Sequence, residues 1–299
     1  MKSIFSLLIV SLILMGCTKN NPDPSWIEIS KWDLQENSAV TPNSINDPGV
    51  LTSNFSDAWI YMDGDLVGVF ELPVKLPIIK DGSHSFKIYP AIHNNGISAT
   101  KKIYPFVEPY ELIVDLVQNE VTTITPVTRY YSNLKFWIYD FEDSTPMIVD
   151  GPSSLTQMQK ISSSPILDPA INQGSFGRIT LNSTNNYYIG STIANNSGTL
   201  NLNLPKGREV YLEIDYHNTN QMTTGVLAIN NDGSVTDNPY IRLNSQDQDI
   251  KWKKIYIDLR EIVSASTNAS YFEFSFQSYL DAEESIGEVN IDNIKAVYF

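Results

Sequence analysis

The residues best placed to do chemistry lie in one stretch, Val210-Tyr211-Leu212-Glu213-Ile214-Asp215-Tyr216-His217-Asn218. In a strand, side chains alternate between faces. Glu213, Asp215 and His217 then share a face with Tyr211, opposite Val210, Leu212, Ile214 and Tyr216. Two carboxylates and an imidazole on one face are the ingredients of general acid–base chemistry. Other catalytic templates are missing. His84, His93 and His217 are far apart in sequence and form no H-E-x-x-H pair. There is no G-x-S-x-G elbow, no Walker loop and no G-x-G-x-x-G. The one cysteine, Cys17, excludes a disulfide framework and thiolate zinc sites.

Glu213-Ile214-Asp215 resembles the catalytic strand of laminarinase-type glycoside hydrolases. Those enzymes carry a second Glu on the same strand, and a retaining glycosidase needs its two carboxyls about 5–5.5 Å apart. Here His217 and Asn218 stand where that Glu would fall, so no catalytic centre is expected. A binding face is the better reading. In Lys251 to Leu259 the residues Lys253, Ile255, Ile257 and Leu259 face one way, and Trp252, Lys254, Tyr256 and Asp258 the other. Phe272, Phe274 and Phe276 likewise oppose Glu273, Ser275 and Gln277. With the apolar sets in a core, Trp252 and Tyr256 stand on an outer sheet surface, with Glu213 and His217 nearby. The binding-face candidates are thus Trp252, Tyr256, Lys254, Tyr211, Glu213, Asp215 and His217. Exposed aromatics beside carboxylates suit sugar stacking, and they equally suit a protein interface. Loops that cover the aromatics are the third arrangement.

The elements that must position these residues are strands. Short runs of Val, Ile, Thr and aromatic residues alternate with Asn, Asp, Gly, Ser and Pro clusters, the pattern of all-β sandwiches. Helical periodicity is brief, at Ser154–Lys160 and Arg260–Ala265. With 299 residues, and about 150 per domain as the usual size, two domains fit. We place them at 26–132 and 133–299, as tandem β-sandwiches of which the second is a jelly roll. The formal charge of −14 repels phosphate backbones, so no nucleic-acid partner is expected.

Each block also carries a resemblance. Asp63, Gly64, Gly68, Pro73, Gly82 and His84 match the turn-forming positions of the small β-modules named PEGA, where such residues build turns. In the second block, Phe141-Glu142-Asp143, Gly174-Ser175-Phe176 and Ile291-Asp292-Asn293-Ile294 resemble galactose-binding-like jelly rolls, including many carbohydrate-binding modules. That resemblance implies a structural calcium clipped between Glu142 and Asp292, since calcium takes six to eight oxygen ligands. The other reading leaves Glu142 solvated and Asp292 capping a turn.

The N-terminus gives an address. At about 1.5 Å per residue, the apolar run Ile4–Met15 reaches about 18 Å, short of the ~30 Å hydrocarbon core. It reads as a signal-peptide core. Leu14-Met15-Gly16-Cys17 resembles the lipobox of bacterial lipoproteins. This implies removal of residues 1–16, acylation of Cys17 (palmitate included), and a polar tether over 17–25. A second mature residue, Thr18, that is not Asp implies the outer membrane, with the leaflet undecided. Asp143-Ser144-Thr145 resembles the short O-glycosylation site of Bacteroidota. The expected role is a non-catalytic accessory or scaffold subunit that engages an outer-membrane protein complex through sheet faces or edges. The alternative is a carbohydrate-binding lipoprotein with Trp252 and Tyr256 as stacking platforms, and a glycosidase comes third.

Overall fold

The computed structural model describes residues 22–193, 202–246 and 250–299. The expected signal peptide, Cys17 and most of the tether lie outside them. The chain is all-β and forms two tandem sandwiches.

The first sandwich contains β1 (Ser25–Ile29), β2 (Asp33–Leu34), β3 (Asp57–Met62), β4 (Asp65–Glu71), β5 (Val74–Ile78), β6 (Gly82–His93), β7 (Lys101–Ile103), β8 (Tyr110–Leu116), β9 (Val121–Ile124) and β10 (Val127–Thr128). One sheet runs β5-β1-β9. The other runs β4-β3-β6-β7, with β8 also on β6. Ile27, Ile29, Leu76 and Ile124 of the first pack against Ile60, Phe86, Ile88 and Val114 of the second. The expected Asp63–Gly64 turn is present. Both residues have positive φ, 52° and 89°, and Met62 pairs with Asp65, which is a two-residue hairpin of the kind that needs left-handed backbone. Asp63 also accepts the Ser85 N–H at 3.1 Å and meets His84 Nδ1 at 2.7 Å, which ties this turn to the start of β6.

The second sandwich contains β11 (Lys135–Tyr139), β12 (Ile148–Asp150), β13 (Gln159–Ile161), β14 (Phe176–Asn182), β15 (Tyr187–Thr192), β16 (Val210–Asn218), β17 (Met222–Asn230), β18 (Val235–Leu243), β19 (Lys253–Asp258), α1 (Arg260–Ala265), β20 (Ala269–Tyr279) and β21 (Ile286–Tyr298). One sheet runs β13-β14-β21-β16-β19, with β11 on the far half of β21. The other runs β12-β15-β20-β17-β18. Between them Ile255, Ile257 and Leu259 meet Phe272, Phe274 and Phe276, as the alternation required. The helix expected at Arg260–Ala265 forms. Ser154–Lys160 does not form one: it runs through turns into β13.

The two sandwiches share an interface. Tyr211, Tyr256 and Val297, on the outer face of the β13-to-β19 sheet, join the same apolar cluster as the first sandwich's Tyr104, Phe106 and Phe55.

Candidate functional site

This interface decides the fate of the face nominated from sequence. Glu213 and Tyr211 are fully buried, and Asp215, Tyr256 and Lys254 nearly so. The alternation assigned the correct side; the first sandwich then covers that side. Tyr104 stands at the centre, with its ring 4.8 Å from Tyr256 and 5.3 Å from Tyr211. These five residues are therefore not an exposed binding surface, which corrects the sequence reading. Their aromatic faces are spent on burial within the chain.

Under the cover lies an ionic network. Lys254 Nζ donates to Glu213 Oε2 at 2.9 Å and to Thr52 Oγ1 at 2.9 Å, with Asp215 Oδ1 at 3.7 Å. The Thr52 hydroxyl in turn donates to Asp215 Oδ2 at 2.6 Å. Glu213 also accepts from Tyr130 at 2.9 Å and from the Tyr104 hydroxyl. Burial pushes the Glu213 carboxyl up, but Lys254, Lys295 and its hydrogen bonds outweigh that and hold it below the usual range. Lys254 is opposed by burial too, and the two carboxylates raise it above its ordinary value. Lys295 makes no ion pair within 4 Å among the described residues, although Glu213 is its cross-strand neighbour. It donates to the carbonyls of Pro48 (2.6 Å) and Val50, and burial with the neighbouring Lys254 charge brings it down to about 8. A carboxylate that is ionised, paired and sealed from solvent cannot move protons for a substrate. The arrangement locks two sandwiches together and does not form a catalytic dyad.

Two of the nominated residues stay near solvent. Trp252 and His217 are half-buried, with ring centres 5.8 Å apart. Trp252 donates its indole N–H to Ile166 O at 2.7 Å and sits edge-on to Phe176. It walls a cleft of about 460 Å³ at the interface, whose lining also includes Asn54, Ile171, Asp215 and Lys254. His217 Nδ1 has no partner among the described residues, and burial lowers its affinity for a proton.

The calcium clip does not fit the contacts made by Glu142 and Asp292. Glu142 is exposed and accepts the Ser175 N–H at 2.7 Å. Asp292 is buried and accepts from Asn172 Nδ2 at 2.6 Å and from the Asn293 N–H at 2.8 Å. Burial pushes its carboxyl up to about 8. The backbone carbonyls of Glu142 and Asp143 hold the Lys160 ammonium at 2.9 and 3.2 Å, which puts a cationic side chain beside Glu142. Among the described residues no group of three or more His, Cys, Asp or Glu side chains could hold a metal.

The outer face of the other sheet was passed over in sequence, and no neighbouring element of the described chain packs on it. Tyr187 and Tyr279 are directly opposite each other in the β15–β20 pairing. Their rings stack at 4.3 Å and 27°, and Tyr279 is 63% exposed. Beside them runs a groove of about 120 Å³ lined by Ile189, Ser191, Leu227, Asp237, Ser275 and Gln277. Gly225, paired with Ser275 across β17 and β20, has no room for a side chain, because a Cβ there would come within 2.6 Å of Ser275 Oγ. The available signal was the polar partner set of the phenylalanine run: Ser275, Gln277 and Tyr279 alternate with Phe274 and Phe276.

No family model matches the chain, and no curated protein matches it. Among solved structures it is similar to a xylan-binding domain of carbohydrate-binding module family 22, with 9% identity and a TM-score of 0.35 over 54% of this chain and 92% of that one. It is similar to the family 30 carbohydrate-binding module of a Clostridium thermocellum cellulosomal cellulase, with 14% identity and a TM-score of 0.38 over 54% and 96% of the two chains. It is also similar to the enzymatically active domain of a bacteriophage CBA120 tailspike protein, with 11% identity and a TM-score of 0.35 over 55% and 19%.

Proposed function

We propose that this chain is a non-catalytic carbohydrate-binding lipoprotein, anchored to the outer membrane through Cys17, whose glycan site is the open face formed by β15, β20, β17 and β18. One observation carries the reading: a stacked tyrosine pair, with Tyr279 exposed and Tyr187 half-buried, adjoins a mainly apolar groove edged by Ser191, Asp237 and Gln277 on a sheet face that no described element covers. A pyranose ring presents C–H bonds on its faces and hydroxyls around its rim. Flat aromatic rings take the first, and Ser191, Asp237 and Gln277 side chains take the second. The scaffold reading invoked sheet faces or edges, and of these the face that carries Tyr211 and Tyr256 is covered by the chain's own first sandwich.

Affinity electrophoresis of the full chain through gels containing xylan, mixed-linkage β-glucan or galactan tests the glycan site. At least one polysaccharide is expected to retard the native chain. Tyr279→Ala, a surface change with little effect on folding, should weaken that retardation about tenfold, the loss of roughly 1.4 kcal/mol. Retardation by none of the three, or equal retardation of Tyr279→Ala, would overturn the reading. In the same cells labelled palmitate should enter the native chain and not Cys17→Ala.

A further inference from the structure

The first sandwich has its own recessed aromatic surface. On the outer face of the β4-β3-β6-β7 sheet, Trp59 lies opposite Tyr89 and Tyr61 opposite Lys87 in the β3–β6 pairing. The side chains therefore form one contiguous cluster. The Tyr61 and Tyr89 rings meet edge to face at 5.7 Å, and Lys87 Nζ lies 5.4 Å from the centre of the Tyr89 ring. Lys87 is also paired with Glu111 of β8 at 2.7 Å. Tyr61, Lys87, Tyr89 and Glu111, with Ser85, line a groove of about 470 Å³, and a Cβ on Gly64 at its end would meet nothing within 4 Å.

We propose that this groove is a second saccharide site, for a short neutral segment of a glycan chain. The proposal rests on the glycan-binding reading for its ligand class alone, since it uses none of the residues of the other face. Three features select a sugar. The tyrosines are half-buried and recessed, so a slim ligand reaches them, whereas a protein anchor needs a deep apolar pocket to fill. The perpendicular rings leave a flat π face beside an exposed edge, which suits the C–H face of one sugar ring. Lys87 and Glu111 put a donor and an acceptor at the same rim with their charges mutually compensated. Hydroxyls are therefore bound without a demand for a charged ligand. Two sites on one rigid body also give a long chain an effective-concentration gain that a short oligosaccharide does not receive.

The test compares native chain, Tyr89→Ala, Tyr279→Ala and the double variant on the same xylan, β-glucan and galactan gels. A folded variant, Glu111→Gln, serves as a milder probe of the groove. The expected result is a several-fold loss for Tyr89→Ala, a smaller one for Glu111→Gln, and a loss in the double variant greater than in either single one. Binding should also shift the emission of Trp59, seen as a signal present in the native chain and absent in Trp59→Phe. If Tyr89→Ala and Glu111→Gln migrate as native while Tyr279→Ala does not, the second site falls and the first stands. If Tyr279→Ala migrates as native while Tyr89→Ala is released, the first falls and this one stands. If neither the native chain nor any variant is retarded, the second site is overturned.

Discussion

Lys254 keeps its charge inside the protein because Glu213, Asp215 and the Thr52 hydroxyl replace its hydration. Removing it strands two carboxylates in a medium that solvates them poorly. Breaking a buried ion pair this way costs about 3–5 kcal/mol. Lys254→Met should therefore lower the unfolding free energy by that amount, seen as a lower urea midpoint at an unchanged m-value in equilibrium unfolding. A loss under 1 kcal/mol would mean that solvent reaches the network. At this scale the sequence was half legible. Period-two alternation told which side of β19 Tyr256 faces and which side of β20 Gln277 faces, and both were right. It does not tell what lies on top of a side. Tyr256 was covered by Tyr104 and Phe55, both more than 150 positions away in sequence, while Tyr279 was left open.

The element with the most demanding surroundings is β21. It carries Asp292 and Lys295 in the middle of a sheet, each buried and each brought to about 8 from opposite directions. Asp292 rises from an ordinary value of 3.8, so between pH 4 and 8 the folded chain holds a proton that the unfolded chain has released. That contribution to stability is full below about 4 and gone above about 8, because stability falls with pH wherever the folded state binds more protons. Lys295 is protonated in both states below about 8 and adds no slope there. The melting temperature of Asp292→Asn should thus gain on that of the native chain as pH goes from 5 to 8, and a chelator should leave the native curve unchanged. A drop in melting temperature with chelator would restore the calcium clip. Elements were legible where local signals agreed, as in the Asp63–Gly64 hairpin and α1. At Ser154–Lys160 the local pattern lost to tertiary bonds: the Leu155 N–H donates to Tyr187 O at 2.9 Å, and Thr156 Oγ1 donates to Thr180 O at 3.0 Å.

For the whole molecule, the interface has the character of a core. It is aromatic, and it covers charges of the second sandwich that pair with one another and form further hydrogen bonds with Thr52, Tyr104, Tyr130 and the Pro48 and Val50 carbonyls of the first. Interfaces between domains are ordinarily more polar and looser. Calorimetry should accordingly show one unfolding transition with equal calorimetric and van't Hoff enthalpies, and two resolved transitions would contradict the coupling. Sequence showed two β-sandwiches and missed their fusion. A reading by blocks treats each sheet face as its own surface, and the pairing of Glu213 with Tyr104 and Tyr130 is visible only in three dimensions.

The position of β21 bears on how the chain is made. This strand supplies the centre of its sheet, pairing with β14 and β11 along one side and β16 along the other, and its Lys295 reaches back to the carbonyls of Pro48 and Val50. During synthesis or translocation residues 286–298 emerge after nearly everything they must join. Until then β16 and β19 wait without their central neighbour, and Tyr104, Phe106 and Tyr130 of the first sandwich wait without a finished surface to close on. Arrival of β21 therefore completes the centre of its own sheet and, through Val297 and Lys295, the seam with the first sandwich in a single step.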